Sequence, residues 1–280
     1  MSTNTEQRDF WSDDAGPIWV DQRETMDAIL APVLDRTLGR AALKDGDSVL
    51  DIGCGAGTST FAVADIVGPT GHVSGFDISR TLLEAAQMRV LGRTNVGFLD
   101  ADVQSHPFVA QSADAIISRF GVMFFSDSRA AFENMALALR SEGTISFSAW
   151  GAIPDNPFFT LPAQIARQIL GPVPKSDPDA PGPFALRDPA YVKAMLNSAD
   201  LEADIDVRTE LLTCAAGPLA LAQTMCLIGP AHGAILHHRA DETMRRVLLD
   251  ALVDAFAQYQ TQSGVEIPAR INYVTARKAS

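Results

Sequence analysis

The 280-residue sequence predicts an α/β fold built on a doubly wound, mostly parallel sheet of seven strands. Short runs rich in β-branched and aromatic residues alternate with segments of helical periodicity, and this alternation is typical of βαβ units. A glycine-rich turn follows the first of these runs, at the end of a strand where such sheets bind their ligands.

Five of the predicted strands lie before residue 151, and two follow a long interruption. In order, the seven runs are SVLDIG, HVSGFDIS, VGFLDAD, DAIISRF, TISFSAW, ADIDVRTELLT and ARINYVTARK. Helical periodicity appears between them in TSTFAVADIVG, RTLLEAAQMRVLG and SRAAFENMALALRSEG. Ser79 is suited to cap the second of these helices, and either Asp127 or Ser128 the third, because their side-chain oxygens can accept a backbone N–H. A further helix is predicted over 26–38.

The composition changes after Trp150. Nine of the sixteen prolines lie within 151–189. Because proline fixes φ and lacks an N–H, a loop is predicted there rather than a core element. A helix capped by Asp188 follows, and two more helical stretches are predicted over 218–228 and 241–260.

These patterns divide the chain into one α/β core and the segments that extend it. The predicted organisation is an N-terminal helical segment covering the site (1–40), a ligand-binding core (41–150), a proline-rich insertion (151–187), a continuation of the core (188–212), a helical cap insertion (213–267) and a final core strand (268–280).

Composition excludes several classes of protein. The 22 Lys and Arg are outnumbered by 34 Asp and Glu, for a net charge of −12, so no basic surface for nucleic-acid phosphates is expected. The odd number of cysteines (Cys54, Cys214 and Cys226) predicts a reducing compartment rather than a disulfide framework. Without a secretory signal, a bilayer-length apolar run or metal-type Cys/His spacing, we expect a cytoplasmic protein with no membrane span and no metal site. A homodimer is left open.

The stretch VLDIGCGAG ends a predicted strand in an acid and then turns on three glycines. The dinucleotide fingerprint Gly-x-Gly-x-x-Gly requires a third glycine, but Thr58 or Thr60 stands there when counting starts from Gly53 or Gly55. Asp51 precedes the first glycine and would repel a pyrophosphate, whereas it suits a positively charged ligand. The loop therefore favours a cationic ligand over a dinucleotide.

VLDIGCGAG resembles the first motif of class I S-adenosylmethionine-dependent methyltransferases, and the resemblance continues over residues 47–150. Asp77, which ends the second strand, matches the family acid that holds both ribose hydroxyls. Asp102 and Val103 match the pair at the adenine, where the acid accepts from the exocyclic amine and the next N–H reaches a ring nitrogen. ADAIISRFGVMFF and LRSEGTISFSAW are similar to the fourth and fifth strands of the small-molecule, quinone-methylase-like branch, which implies a Rossmann-like methyltransferase fold.

The resemblance implies S-adenosyl-L-methionine as the cofactor. The implied cofactor-binding residues are Asp51, Gly53, Cys54, Gly55, Asp77, Ile78, Asp102, Val103, Ser118 and Trp19. Arg119 is a candidate catalytic residue because it follows the fourth strand near the expected methyl group, although it could equally pair with a surface acid. His232 is a second candidate, as a base for O-methylation. Cys54 is expected to be a small loop residue, because nothing nearby in sequence would activate a nucleophilic thiol.

The acceptor is expected between the core, the two insertions and the N-terminal segment. Trp11 and Trp19 either face the ligand or anchor a terminal helix. Phe158, Phe159 and Phe184 either line an apolar pocket or hold the proline-rich loop. The fourth strand ends in SRFG rather than in the Asn/Asp-Pro-Pro-aromatic turn of enzymes that methylate nucleic-acid amines. A small, partly apolar acceptor is therefore predicted.

The sequence thus predicts an S-adenosylmethionine-dependent methyltransferase that methylates a small molecule by in-line transfer, with O- or C-methylation favoured. Because the sulfonium carries its own leaving group, alignment supplies most of the rate, and a base is needed only if the acceptor must lose a proton. Three alternatives stay open: a nicotinamide dehydrogenase on a related sheet, a protein that binds the donor without turnover, and other chemistry of the bound sulfonium.

Overall fold

A single sheet organises the computed structural model, which describes residues 4–278. Its strands are β1 (Ser48–Ile52), β2 (His72–Asp77), β3 (Val96–Asp100), β4 (Ala113–Arg119), β5 (Leu139–Trp150), β6 (Leu201–Cys214), β7 (Gln260–Thr261) and β8 (Gly264–Lys278). The strand order is β3-β2-β1-β4-β5-β8-β6, and β8 is antiparallel to both of its neighbours. This confirms the predicted mostly parallel α/β sheet. The two-residue β7, which pairs with β8, adds an eighth strand to the seven predicted.

Helices cover both faces of this sheet. They are α1 (Thr5–Asp9), α2 (Ala15–Asp21), α3 (Arg23–Ile29), α4 (Ala31–Ala41), α5 (Thr58–Val67), α6 (Arg80–Met88), α7 (Ser128–Ala138), α8 (Pro157–Leu170), α9 (Pro189–Ser198), α10 (Pro218–Met225), α11 (Gly229–His237) and α12 (Glu242–Ala257). Ser79, Asp127 and Asp188 cap α6, α7 and α9, each accepting a backbone N–H. Asp127, rather than Ser128, is therefore the cap of α7.

Two local differences from the sequence prediction have the same cause, the position of a proline. The helix predicted over 26–38 is divided at Leu30, and a proline lies in the first turn of α4, where its missing N–H costs no helical bond. Likewise, the prediction of a loop throughout 151–189 is wrong for α8, because Pro157 begins that helix. Pro162 lies inside α8, which nevertheless buries Phe158 in the core.

Successive residues of one strand pack into hydrophobic clusters on opposite faces of the sheet. Because both faces are buried, the strands have near-continuous apolar runs. Val49 and Ile117 pack with Val63 of α5 in a smaller cluster on one face. Leu50 and Ile116 belong to the larger cluster on the other. The sheet is therefore buried on both sides, and its open ends are the places left for a ligand.

The N-terminal segment, defined here as residues 4–29 (α1–α3 and a π-helical turn, Phe10–Asp14), lies across the carboxyl ends of the strands. Residues 1–3 of the predicted segment 1–40 and residues 279–280 of the predicted strand segment 268–280 lie outside the described residues. Within the described range, no single helix has the length and apolar composition needed to cross a membrane, although the bent pair α10 and α11 meets both criteria when taken together.

Candidate cofactor and acceptor site

A cavity of about 380 Å³ opens where β1, β2 and β4 end. Its lining comes from the glycine loop after β1, the ends of β2 and β4, the N-terminal segment, α8 and the α10–α11 turn. Nine of the residues predicted to form the site line it: Trp19, Gly53, Cys54, Gly55, Asp77, Ile78, Asp102, Val103 and Arg119. The fold thus brings together residues that are widely separated in the chain.

The glycine loop is held in a conformation that a side chain would prevent. Gly53 has φ +65°, and a Cβ built there would lie 2.5 Å from the Cα of Gly121. The N–H groups of Gly53 and Cys54 both donate to the Phe76 carbonyl, at 2.8 and 3.1 Å. The loop is therefore tied to β2 and packed against the chain after β4, which leaves its outer side for a ligand.

The Asp77 carboxylate is oriented by the backbone around it. Its Oδ2 accepts from the N–H of Gly55 and its Oδ1 from the N–H of Ser79, both at 2.8 Å. Burial raises the pKa of Asp77, and these two N–H bonds oppose the rise. The result is a fixed acceptor group on the cavity wall at the end of β2.

Asp51 lies behind the loop, fully buried, and is not among the cavity-lining residues of the described chain. Its Oδ2 accepts from the hydroxyls of Ser59 (2.7 Å) and Thr60 (2.6 Å), whereas its Oδ1 has no hydrogen-bond partner within residues 4–278. Burial raises the pKa of Asp51 to about 6, opposed by the two hydroxyls and by the charge of Arg119. An unpaired buried carboxylate oxygen calls for a positively charged or donating group.

Asp102 is already engaged at the other end of the cavity. Asn4 donates from Nδ2 to Asp102 Oδ1 at 2.9 Å, and its Oδ1 accepts from the N–H of Ser126 at 2.9 Å. Val103 is buried beside this pair. The N-terminal segment therefore closes over the position that the sequence assigns to the adenine.

Arg119 forms an ion pair that no sequence pattern indicated. Its Nη2 lies 2.7 Å from Oδ1 of Asp27 on α3, and Oδ2 of Asp27 accepts from the Thr58 hydroxyl at 2.6 Å. All three residues line the cavity. Asp27 was missed because it lies 92 residues from Arg119 in the sequence, on a helix with no motif of its own.

Aromatic rings form one side of the cavity. Phe120 stacks on Trp150 with ring centroids 4.6 Å apart, Phe158 stacks on the same indole at 5.7 Å, and Phe159 meets it edge-on at 4.7 Å. We call these four residues the aromatic chamber; Met26, Leu30, Met225 and Ile228 extend it. Such a surface favours an apolar ligand over a charged one.

The aromatic residues suggested by the sequence take different positions. Trp11 and Trp19 both line the cavity, with ring centroids 5.9 Å apart. Phe158 and Phe159 line it as well, whereas Phe184 packs on Phe159 and is not among the lining residues described.

The remaining predicted site residues lie away from the cavity surface. Ser118 is buried, and its hydroxyl accepts from the N–H of Gly121 at 3.0 Å, which supports the loop after β4. His232 is absent from the lining in the described chain, and its Nδ1 lies 3.1 Å from the Cys226 carbonyl oxygen. Cys54, in contrast, lines the cavity, and burial raises the pKa of its thiol. Across residues 4–278, no cluster of three His, Cys, Asp or Glu is placed to hold a metal ion.

Comparison with known proteins identifies the central part of the chain. Residues 49–143 match a family model described as a methyltransferase domain. Over 110 residues the chain is 31% identical to the demethylmenaquinone methyltransferase of Staphylococcus aureus, covering 39% of this chain and 46% of that relative. Residues 49–143 are thus similar to a methyltransferase domain. This confirms the resemblance to small-molecule, S-adenosylmethionine-dependent methyltransferases that the motifs predicted.

Solved structures show the same fold around this region. The YcgJ protein of Bacillus subtilis superposes with a TM-score of 0.60 at 19% identity, covering 89% of this chain and 99% of that one. A phosphoethanolamine N-methyltransferase 2 of Haemonchus contortus, solved with phosphomonomethylethanolamine and S-adenosylhomocysteine, gives 0.60 at 16% identity, covering 100% of this chain and 61% of that one. At these identities the likeness concerns the fold.

The family match ends before most of the aromatic chamber. Trp150, Phe158 and Phe159 all follow residue 143, where the methyltransferase-domain match stops. The chain also spans less than half the length of the S. aureus relative. These three rings therefore lie outside the part of the chain that the family model matches.

Proposed function

We propose that this protein is an S-adenosylmethionine-dependent methyltransferase that methylates a small, mostly apolar molecule. The observation that supports this best is the placement of three carboxylates along the sheet edge. Asp51 lies in β1, Asp77 ends β2 and Asp102 follows β3, in the order of neighbouring strands. Asp77 and Asp102 line one cavity, and Asp51 lies directly behind its glycine loop.

The donor's functional groups fit these residues. Asp77 is fixed at a position suited to accept from two ribose hydroxyls, and Asp102 with the backbone of Val103 is suited to the adenine edge. The negative charge of Asp51, buried behind the glycine loop, suits a nearby ammonium group of the amino-acid end. When bound, the cofactor supplies a methyl group on a positively charged sulfur, which is itself the leaving group.

The chain's remaining task is to align an acceptor and exclude water. The aromatic chamber offers flat apolar walls for this purpose, and its neighbours Met26, Leu30, Met225 and Ile228 add no polar group. Proximity and orientation can supply most of the required rate acceleration when the donor is already activated. O- or C-methylation of a partly apolar molecule is the reaction that these walls favour.

The S. aureus relative is named for demethylmenaquinone, and the H. contortus structure holds phosphomonomethylethanolamine. Neither acceptor is assigned to this chain, because three of the four chamber rings lie outside the family match. The chemical class, small and apolar, is proposed from the chamber itself.

Two measurements test the proposed function. Isothermal titration calorimetry of the full chain with S-adenosylmethionine, S-adenosylhomocysteine and NADH should show binding of the first two alone. Incubation with methyl-labelled donor and a panel of phenols, quinols and amines should then label an apolar acceptor. If the protein bound NADH but neither S-adenosylmethionine nor S-adenosylhomocysteine, the result would favour a dehydrogenase. Tight donor binding without transfer to any acceptor would favour a non-catalytic role.

A further inference from the structure

Of the two terminal nitrogens of the Arg119 guanidinium, one is paired and the other has no partner in the described chain. Its Nη2 is committed to Asp27, whereas its Nη1 is buried with no hydrogen-bond partner among residues 4–278. The side chain is 16% exposed, so water cannot freely satisfy the remaining donor. A buried charged donor left unpaired is costly, which indicates that a ligand group completes it.

The direction of this free donor is set by a short network. Asp27 holds Nη2 through Oδ1, and Asp27 is itself held through Oδ2 by the hydroxyl of Thr58, the first residue of α5. Thr58 also accepts from Arg89 at 3.1 Å. Because the guanidinium is planar, fixing one of its nitrogens against this network fixes the direction of the other.

The network lies on the donor side of the cavity. Thr58 directly follows the glycine loop, and Gly121, two residues after Arg119, packs against Gly53 of that loop. The charge of Arg119 also acts on Asp51, whose Oδ1 is unpaired as well. Two unsatisfied groups of opposite sign therefore flank the glycine loop, a donor on one residue and an acceptor on the other.

A free amino acid end carries both complementary groups, an α-carboxylate and an α-ammonium. We propose that Arg119 binds the α-carboxylate of the donor through Nη1 and that Asp27 is the positioning residue that orients Arg119. This inference rests on the proposed function and deepens it, because it assigns Arg119 to recognition of the donor rather than to activation of the acceptor. Arginine suits this role since its fixed fork of donors matches a carboxylate.

The acceptor is the less suitable partner for Nη1. Three of the four aromatic-chamber residues, Phe120, Phe158 and Phe159, have no polar side-chain atom, and the indole N–H of Trp150 is the only one in the set, so the chamber is a poor match for a charged acceptor beside Arg119. The charges of Asp51 and Arg119 together match a zwitterion, because the buried carboxylate behind the loop favours a nearby ammonium group, which a simple anionic acceptor lacks. The donor's amino-acid end complements both charges at once.

The test measures binding, without turnover, of three ligands that differ at one end. S-adenosylhomocysteine has the α-carboxylate, its decarboxylated analogue has hydrogen in that place, and 5′-methylthioadenosine lacks the amino-acid end. For the Arg119→Gln variant we expect the Kd for S-adenosylhomocysteine to rise about 10- to 100-fold, the usual effect of losing a hydrogen bond to a charged group. The Kd for the other two ligands should change by less than about threefold, since neither makes the contact.

Asp27 is tested by coupling to Arg119. Asp27→Ala should weaken S-adenosylhomocysteine by roughly 3- to 10-fold, because Arg119 loses its orientation but keeps its charge. The Asp27→Ala/Arg119→Gln double variant should bind S-adenosylhomocysteine no more weakly than Arg119→Gln alone, because Asp27 acts through Arg119. Arg129→Gln, which changes an exposed arginine of α7 paired with Glu133 and away from the cavity lining, is the matched control and should leave all three affinities within about threefold.

Several outcomes would overturn the inference. If Arg119→Gln raised the Kd for 5′-methylthioadenosine as much as that for S-adenosylhomocysteine, the substitution would have disturbed the site in general. An unchanged Kd for S-adenosylhomocysteine would show that Arg119 does not bind the donor's carboxylate and would favour a contact with the acceptor. Selective weakening of S-adenosylhomocysteine by Arg23→Gln, which changes the other arginine among the described lining residues, in place of Arg119→Gln would do the same. Should Arg119→Gln fail to fold, Arg119→Lys, which keeps the charge, must still weaken S-adenosylhomocysteine selectively. Failure of the wild-type protein to bind any of the three ligands would instead contradict the proposed function.

Discussion

Asn4 donates a hydrogen bond to Asp102 at 2.9 Å across 98 residues of sequence. The Asn4 side chain is one of the few buried polar groups in the N-terminal segment, and it also accepts from the backbone of Ser126. Asn4 thus links the N-terminal segment to the loop after β3 and to Ser126, the residue before the N-cap of α7. Because Asp102 is the proposed adenine-binding acid, we propose that the segment covers the donor, with its attachment point within the proposed donor site.

Removing that attachment should speed exchange of the donor. In the Asn4→Ala variant we expect the dissociation rate of S-adenosylhomocysteine to rise about tenfold, because the side-chain hydrogen bonds with Asp102, Gln104 and Ser126 that hold the segment are lost. Stopped-flow tryptophan fluorescence can follow this, since Trp11 and Trp19 line the cavity. Glu6→Ala, on an exposed position of the same helix, is the control. An unchanged dissociation rate in Asn4→Ala would show that the segment is not the barrier to exchange.

The Asp77→Ala variant should lose donor affinity. It removes the proposed ribose contacts and the acceptor that orients Gly55, so we expect the Kd for S-adenosylhomocysteine to rise at least about 30-fold by calorimetry. Asp65→Ala, which breaks an exposed ion pair with Arg93, should leave the Kd unchanged. The same affinity in Asp77→Ala as in the wild type would remove the central assignment of the site.

Two glycines of one loop should respond differently to the same substitution. Gly53→Ala places a Cβ 2.5 Å from backbone of Gly121 and should lower the free energy of unfolding by about 3 kcal/mol. Gly55→Ala meets no atom within 4 Å, so only its φ of +54° opposes the substitution, at about 1 kcal/mol. Urea unfolding of both variants gives the comparison. Equal losses would mean that close packing against Gly121 does not constrain the loop.

The ionisation of Asp51 should appear in the pH dependence of stability. Its pKa is raised from 3.8 to about 6 in the folded protein, so the folded state binds the proton more readily than the unfolded chain. The stability that Asp51 contributes is therefore complete below pH about 4 and is lost as pH rises through about 6. Asp51→Asn cannot ionise and should escape this loss.

We therefore expect the free energy of unfolding of Asp51→Asn, relative to the wild type, to increase by about 3 kcal/mol between pH 4 and pH 7.5. Urea titrations at four pH values across this range measure the difference. The same variant should bind S-adenosylhomocysteine more weakly at pH 7.5, because the ammonium group loses a charged partner. Parallel stability curves for the two proteins would show that Asp51 does not titrate in this range.

Much of the proposed donor site was accessible from the sequence because it depends on short segments. The glycine loop and Asp102 follow strands, and Asp77 ends one, each strand having an apolar run that is plain in the sequence, and parallel strands end at one edge of the sheet. That geometry brings them together without knowledge of any other contact. The proline-rich stretch shows the limit of such reasoning, since composition alone did not reveal that Pro157 begins a helix that buries Phe158.

The alternating pattern of strands and helices by itself determined the α/β sheet, the loop that carries the glycines and the chemical character of the groups around it. Only the tertiary structure decided that Asp27 pairs with Arg119, that Asn4 bonds to Asp102 and that His232 lies away from the cavity. The strands and helices follow from local hydrophobic periodicity, which each segment carries on its own. Contacts between distant side chains depend on how helices pack over the sheet, and no single segment encodes that arrangement.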